Sequence, residues 1–303
     1  MAAAETLAGE APAPLVVRRA GAVLAALRPR QWSKNLLLFA GLVFAAKLGD
    51  AGRWLDAGTA FLAYCAASGA SYLVNDVLDA ERDRLHPTKR QRPVASGELA
   101  PGSAVALALG LAVAALGLAG LLGPTSILYL GGFLGVQGAY SLRLKHVVGI
   151  DVLAIAGLFL LRAAAGAEAV DVPISPWLLI CTALLALFLG LAKRRGELVS
   201  VGADVTPRRP VLAGYSLALL DRILALVAGA TLIAYSLYTV TARDSWTMVA
   251  TIPFVGFGIV RYLLLVHRRD LGEEPENVLL SDAPILATVA AWTVTAAAIL
   301  ALD

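Results

Sequence analysis

Residues 75–83 read NDVLDAERD. On an α-helix advancing about 100° per residue, Asp76, Asp79 and Asp83 fall within about 60° of one another, and Asn75 widens that arc to about 100°. Glu81 falls on the opposite side. Three carboxylates on one helical face repel and cost stability unless something compensates them. A divalent cation does so, and Mg²⁺ favours one or two carboxylates together with the oxygens of a substrate phosphate. The spacing therefore predicts a Mg²⁺ site formed by Asp76, Asp79 and Asp83, with Asn75 assisting. The plainer alternative is a solvated helix end whose acids pair with Arg82, Arg84 or Lys89. The following HPTKRQRP (86–93) carries Lys89, Arg90 and Arg92 in a loop stiffened by Pro87 and Pro93. Bases held beside a metal site suit a polyanionic, phosphate-bearing ligand. Serving only as topology signals is their alternative role.

The elements that position these residues are hydrophobic helices. The 303-residue chain is 59% hydrophobic and only 16% charged, with a mean hydropathy of +0.76. A water-soluble domain of this size needs far more polar surface. Uncharged runs long enough to cross a bilayer recur at 101–122, 123–142, 174–192, 223–242 and 283–302. Residues 57–75 and 246–260 add two more. A short run at 35–46 lies between Lys34 and Lys47, and 147–170 contains Asp151, Arg162 and Glu168. The expectation is an all-α polytopic membrane protein of nine transmembrane helices. It comprises a cytoplasmic N-terminal arm (1–30) and a single membrane domain (31–303).

Lysine and arginine set the orientation. With the N-terminus inside, the bases of the arm, of 82–92, of 143–145, of 193–209 and of 268–269 share the cytoplasmic face. Only Lys47, Arg53 and Arg243 lie on the other. This predicts a plasma-membrane protein with its C-terminus outside and its candidate site on the cytoplasmic side. The first apolar stretch begins near residue 32 and is not expected to be a cleaved signal peptide. Cys65 and Cys181 are expected to pack within spans rather than pair. Asp151 and Arg162 lie about 16 Å apart along one proposed helix, and charges buried in a membrane are costly and usually functional. Asp151 is a candidate for the polar site. Arg162 is deeper, and helix-to-helix bonding and cavity lining both remain open for it.

NDVLDAERD resembles the first aspartate-rich motif of the UbiA-type intramembrane prenyltransferase superfamily. YSLRLK (140–145) with Asp151 is similar to its motif between helices four and five. A narrower likeness joins NDVLDAERDRLHPTKRQRPVASG (75–97), RPRQWSKN (28–35), FLLRAAAGA (159–167), AKRRGEL (192–198) and GEEPE (272–276) to the branch that transfers phosphoribose to decaprenyl phosphate. The second acidic motif usual in the superfamily is replaced by KRRGELVSVGADVTPRRP (193–210), which offers Glu197 and Asp204 among five bases. One metal for a diphosphate, with bases for a second phosphate, suits phosphoribosyl pyrophosphate.

The resemblance implies a Mg²⁺-dependent transfer of 5-phosphoribose to a polyprenyl phosphate, releasing pyrophosphate with inversion at C1. The product would feed cell-wall arabinan. The acceptor is already an anion, so no general base is needed. Tyr140 and Lys145 would orient a phosphate, and Lys193 and Arg194 would add phosphate contacts, with Glu197 beside them. The isoprenoid tail would lie in an apolar groove open to bilayer lipid. A homo-oligomer, with a trimer as the form the family suggests, is possible from small-residue helix faces. No nucleic-acid partner is expected. The alternatives are a prenyltransferase acting from prenyl diphosphate on an aromatic acceptor, and a non-enzymatic transporter or scaffold.

Overall fold

The computed structural model describes residues 15–45, 47–86, 88–201, 210–241, 246–268 and 275–302, and every regular element among them is helical. In chain order these are α1 (Leu15–Leu27), a 3₁₀ helix (Pro29–Phe39), α2 (Ala40–Phe44), α3 (Ala51–Leu78), α4 (Ala80–Arg84), α5 (Pro93–Ser96) and α6 (Pro101–Leu122). They continue with α7 (Pro124–Leu142), α8 (Ile150–Ala169), α9 (Pro176–Val201), α10 (Leu217–Thr241), α11 (Ile252–Arg268), α12 (Pro275–Ser281) and α13 (Ala283–Leu302). Short 3₁₀ turns occupy 89–91, 144–146, 210–214 and 247–251.

The boundaries follow local chemistry. The Asp50 side chain caps α3 by accepting from Gly52 N at 2.9 Å and Arg53 N at 3.3 Å. Proline opens α6 and α7, where a missing N–H costs nothing. Gly123 separates those two helices at φ 127°, a conformation that glycine reaches without strain. Asp282 caps α13 through Ile285 N at 3.1 Å.

Seven helices are long and apolar enough to cross a membrane: α3, α6, α8, α9, α10, the 247–268 segment and α13. The other two expected spans differ for separate reasons. α7 has 19 residues and no charge, but Gly131, Gly132, Gly135, Gly138 and Gln137 dilute its hydropathy. The first apolar run is not one α-helix. Its residues 29–39 are wound as 3₁₀, an uncommon length for that form, before α2 begins.

α8 joins the two halves of the bundle. One core packs Leu38, Tyr64, Leu130, Phe133 and Leu158 together, drawing on the 3₁₀ segment, α3, α7 and α8. The other packs Val152 of α8 with Phe188, Leu220, Leu224, Tyr262 and Val266 of α9 to α11. The 3₁₀ segment and α2 lie backbone to backbone on α8. A Cβ on Gly166 would sit 2.2 Å from the Leu38 carbonyl oxygen, and one on Gly41 would sit 2.7 Å from Ala167 Cα. Glycine is therefore required at both contacts. Much of the outer surface is exposed Leu, Ile and Val, as on Leu55, Leu109, Leu121, Leu226 and Ile233. A surface of that kind suits hydrocarbon rather than water.

Candidate active site

Helix α3 does not run unbroken through the acidic motif. It ends at Leu78, and Asp79 takes φ −98°, ψ 3°, before α4 begins at Ala80. This sparsely populated bridge region is one in which active-site residues are often found. The irregularity is local: Asp79 N still donates to the Asn75 carbonyl at 2.9 Å and Asp83 N to the Asp79 carbonyl at 2.8 Å, and bases from three parts of the chain meet the three carboxylates. Asp76, 1% exposed, pairs with Arg28 and lies 3.3 Å from Arg92 Nη1. Asp83 receives the same Arg92 Nη1 at 2.6 Å. Asp79 receives Lys145 Nζ at 2.9 Å, and the same amine lies 3.4 Å from Asn75 Oδ1. Among the described residues, no three acidic, histidine or cysteine side chains converge closely enough to hold a metal by themselves. One oxygen is left over. Asp76 Oδ2 is buried and takes no hydrogen bond.

Arg28 enters the sequence reading as an orientation signal and as the first residue of RPRQWSKN, with no role at the site, and it is the principal site residue missed there. It joins α1 to the 3₁₀ helix at φ 51°, ψ 63°, a left-handed conformation uncommon for a residue with a Cβ. Its guanidinium sits 5.0 Å from the centre of the Tyr72 ring. Burial pulls its pKa below the ordinary value, and the Asp76 carboxylate works against that. The Arg28-Pro29 pair is the signal that marks a break here, because proline disfavours the α conformation in the residue before it. Lys89 and Tyr140 are half-buried near this end of α3 and α7, and Arg90 is exposed. Glu81 is exposed and takes no part in the cluster.

A second buried cluster lies behind the loop that carries Lys145. Asp151 and Arg194 are both 0% exposed, with Arg194 Nε 3.2 Å from Asp151 Oδ2. Arg194 also pairs with Glu197. Asp151, Arg194 and Glu197, all expected at a ligand, thus lie against one another: burial makes an unpaired charge costly, and Arg194 is internalised with two acids, its Nη2 buried without a hydrogen bond. Lys193 is half-buried and makes no ion pair among the described residues. Asp204, Arg208 and Arg209 lie outside the described residues. Tyr215, unremarked in the sequence, completes the cluster. It donates to Asp151 Oδ1 at 2.6 Å and accepts from Gly149 N at 2.7 Å. Burial, followed by that carboxylate, pushes the Tyr215 phenol up to about 12, so it remains a donor at any working pH.

Arg162 makes bonds between elements. Its Nε donates to Asn35 Oδ1 at 2.8 Å and its Nη1 to the Leu158 carbonyl at 2.9 Å. The guanidinium lies 4.5 Å from the Phe133 ring centre and 5.5 Å from that of Phe159. Asn35 in turn donates to Cys65 Sγ at 3.3 Å. The arginine therefore ties the 3₁₀ segment to α8 and, through Asn35, to α3.

The chain was compared with known proteins and folds. It is 35% identical to the decaprenyl-phosphate phosphoribosyltransferase of Mycobacterium tuberculosis strain H37Rv over 98% of this chain and 99% of that one. The proteins of the same name from Mycolicibacterium smegmatis and Corynebacterium glutamicum are 35% and 32% identical, covering 89% and 90% of this chain and 89% and 85% of theirs. Among solved structures, a UbiA homolog from Archaeoglobus fulgidus bound to GPP and Mg²⁺ superposes with a TM-score of 0.71 at 18% identity, covering 92% of this chain and 99% of that one. These likenesses bear out the resemblance read from the motifs. The profile of the UbiA prenyltransferase family matches residues 36–281, and the chain belongs to that family.

Proposed function

We propose that the chain transfers a 5-phosphoribosyl group from phosphoribosyl pyrophosphate to a polyprenyl phosphate and releases pyrophosphate, in the manner that the names of its relatives describe. The observation that carries this reading is the ring of Asp76, Asp79 and Asp83 against Arg28, Arg92 and Lys145, set in a chain so similar to those relatives. The residues fit Mg²⁺. Asp76 Oδ2 is an orphaned, buried carboxylate oxygen, and a hard cation takes such a donor together with phosphate oxygens. Asp76, Asp79 and Asp83 would hold the ion, with Asn75 in support. When bound, Mg²⁺ offsets the charge gathering on the departing diphosphate.

The chain's own groups do the rest. Arg28, Arg92 and Lys145 grip phosphate oxygens, while Lys89, Arg90 and Tyr140 are further candidates for phosphate contact. Lys193 and Arg194 are the bases toward a second phosphate, Arg194 being held in place by Asp151 and Glu197 with its Nη2 unbonded. No group must abstract a proton, because the lipid phosphate attacks C1 as an anion. Catalysis is then positioning and electrostatics. An apolar groove of about 530 Å³, lined by Val136, Gly157, Leu161, Ala164, Leu179 and Ile180 between α7, α8 and α9, offers a bed for the isoprenoid tail.

In this reading α7 and the 3₁₀–α2 segment also cross the bilayer, making nine crossings. The N-terminus and the acid–base ring face the cytoplasm of a plasma membrane, and the product serves cell-wall arabinan synthesis. Purified protein given labelled phosphoribosyl pyrophosphate and polyprenyl phosphate is expected to form a Mg²⁺-dependent, lipid-linked phosphoribose. Product from prenyl diphosphate and an aromatic acceptor, with none from the phosphoribosyl donor, would replace this reading with the prenyl-transfer one.

A further inference from the structure

The acid–base ring has a charge balance with consequences for the order of binding. Among the ion pairs described, Asp76, Asp79 and Asp83 are each in contact with a base, and those bases are Arg28, Arg92 and Lys145. Three negative and three positive charges sum to zero. The partners come from the α1–3₁₀ junction, the loop before α5 and the turn before α8, so each can move without the others. Arg28 is the most constrained of them. It holds a left-handed backbone in place while its side chain is gripped by Asp76 and Tyr72. A non-glycine residue kept there is over-determined by its surroundings, and such sites are often switch points. Against this closed set stands Asp76 Oδ2, a buried carboxylate oxygen with no partner.

From this pairing we infer that Arg28, Arg92 and Lys145 are exchangeable counterions. A divalent cation arriving alone meets no net negative charge and must compete with bases already seated on the aspartates. A diphosphate arriving with the cation offers those bases better acceptors, since guanidinium and ammonium groups bond phosphate oxygens strongly. The bases transfer from carboxylate to phosphate, and the released carboxylates turn to the metal. Metal and diphosphate therefore enter as one unit, and neither binds well without the other. Arg28 is a positioning residue in this exchange as well as a phosphate contact. The inference rests on the proposed function only in taking a diphosphate as the group that brings the metal, whichever group is then transferred.

The test uses the full chain in detergent or nanodiscs, with Mn²⁺ as the probe metal and inorganic pyrophosphate as the unreactive anion. Bound metal is counted by equilibrium dialysis, so that complexes formed in solution are equal on both sides. Pyrophosphate is expected to tighten Mn²⁺ binding at least about tenfold in the parent protein. Removing one unit charge from the ring by Arg28→Gln is expected to tighten binding of Mn²⁺ alone by about tenfold, and to shrink the gain from pyrophosphate by a similar factor. Arg28→Lys keeps the charge and is expected to behave as the parent. Lys145→Gln makes the same change of charge from another element and serves if Arg28→Gln does not fold. Tight Mn²⁺ binding by the parent without pyrophosphate, or unchanged affinity for Mn²⁺ alone in both glutamine variants, would overturn the exchange. Synergy without any lipid-linked phosphoribose would instead leave the exchange standing and remove the proposed transfer; product without synergy would do the reverse.

Discussion

Replacing Tyr215 with phenylalanine removes one oxygen and two hydrogen bonds. One is a 2.6 Å donation to Asp151, a carboxylate with no exposure, and the other is a 2.7 Å acceptance from Gly149 N. A hydrogen bond to a charged group contributes about 1.5–3 kcal/mol and a neutral one about 0.5–1.5 kcal/mol. Tyr215 is itself only half-buried, which places the expected loss near the bottom of the combined range, at about 2 kcal/mol. For a chain of this length that corresponds to a fall in melting temperature of roughly 3 °C. Function should suffer as well, because Gly149 and Lys145 share the short loop between α7 and α8. Small displacements of a positioning group are costly, so turnover is expected to fall by about tenfold to a hundredfold. Cys65 and Cys181 are free and at least partly buried, so a thiol-reactive dye reports unfolding directly. The same substitution on an Asp151→Asn background should cost less than on the parent, because the shared bond is already weakened. If Tyr215→Phe melts and turns over like the parent, the loop is not held through Asp151 and the reasoning fails.

Lys145→Met strips Asp79 of its base and is expected to raise the KM for the donor at least tenfold with melting little changed; steady-state kinetics on the purified protein checks this. Arg162→Met is expected to lower the melting temperature by several degrees while turnover per folded molecule stays within a few-fold of the parent. A large fall in turnover with normal melting would place Arg162 at the substrate instead. Gly166→Ala introduces a Cβ 2.2 Å from the Leu38 carbonyl oxygen, a clash that neither rigid backbone can absorb. Its yield of folded protein should collapse, and Gly138→Ala, where a Cβ meets nothing within 4 Å, is the matched control.

The acidic motif was legible because its message is local. Asn75, Asp76, Asp79 and Asp83 are brought near one another by helical spacing alone, and Arg92 lies close enough in sequence to join them. The break at Asp79 was not legible, since neither glycine nor proline marks it. Arg28 needed tertiary information of the same kind: the dipeptide Arg28-Pro29 signals a helix end but not the partner 48 residues away. Arg194 shows the converse error. Its pairing with Glu197 lies three residues along one helix and was readable, whereas Asp151 reaches it only once α8 and α9 pack. The sequence offers Lys193 and Arg194 alike to a ligand, and the difference in their burial arises only in the folded chain. The 3₁₀ winding of 29–39 had no signal in hydropathy, because that scale registers what a residue is and not how steeply the backbone climbs.

That steep climb has a consequence for distance. Eleven residues at about 2.0 Å each, followed by the five of α2 at about 1.5 Å, reach about 30 Å, the thickness of a hydrocarbon layer. Coiled throughout as an α-helix, the same residues would fall about 5–6 Å short. The segment is moored at its start by Arg28 on Asp76 and farther along by Leu38 against Gly166 and Gly41 against Ala167. Its pitch, rather than its residue count, sets how far so short a stretch of chain reaches beyond its anchor at Asp76.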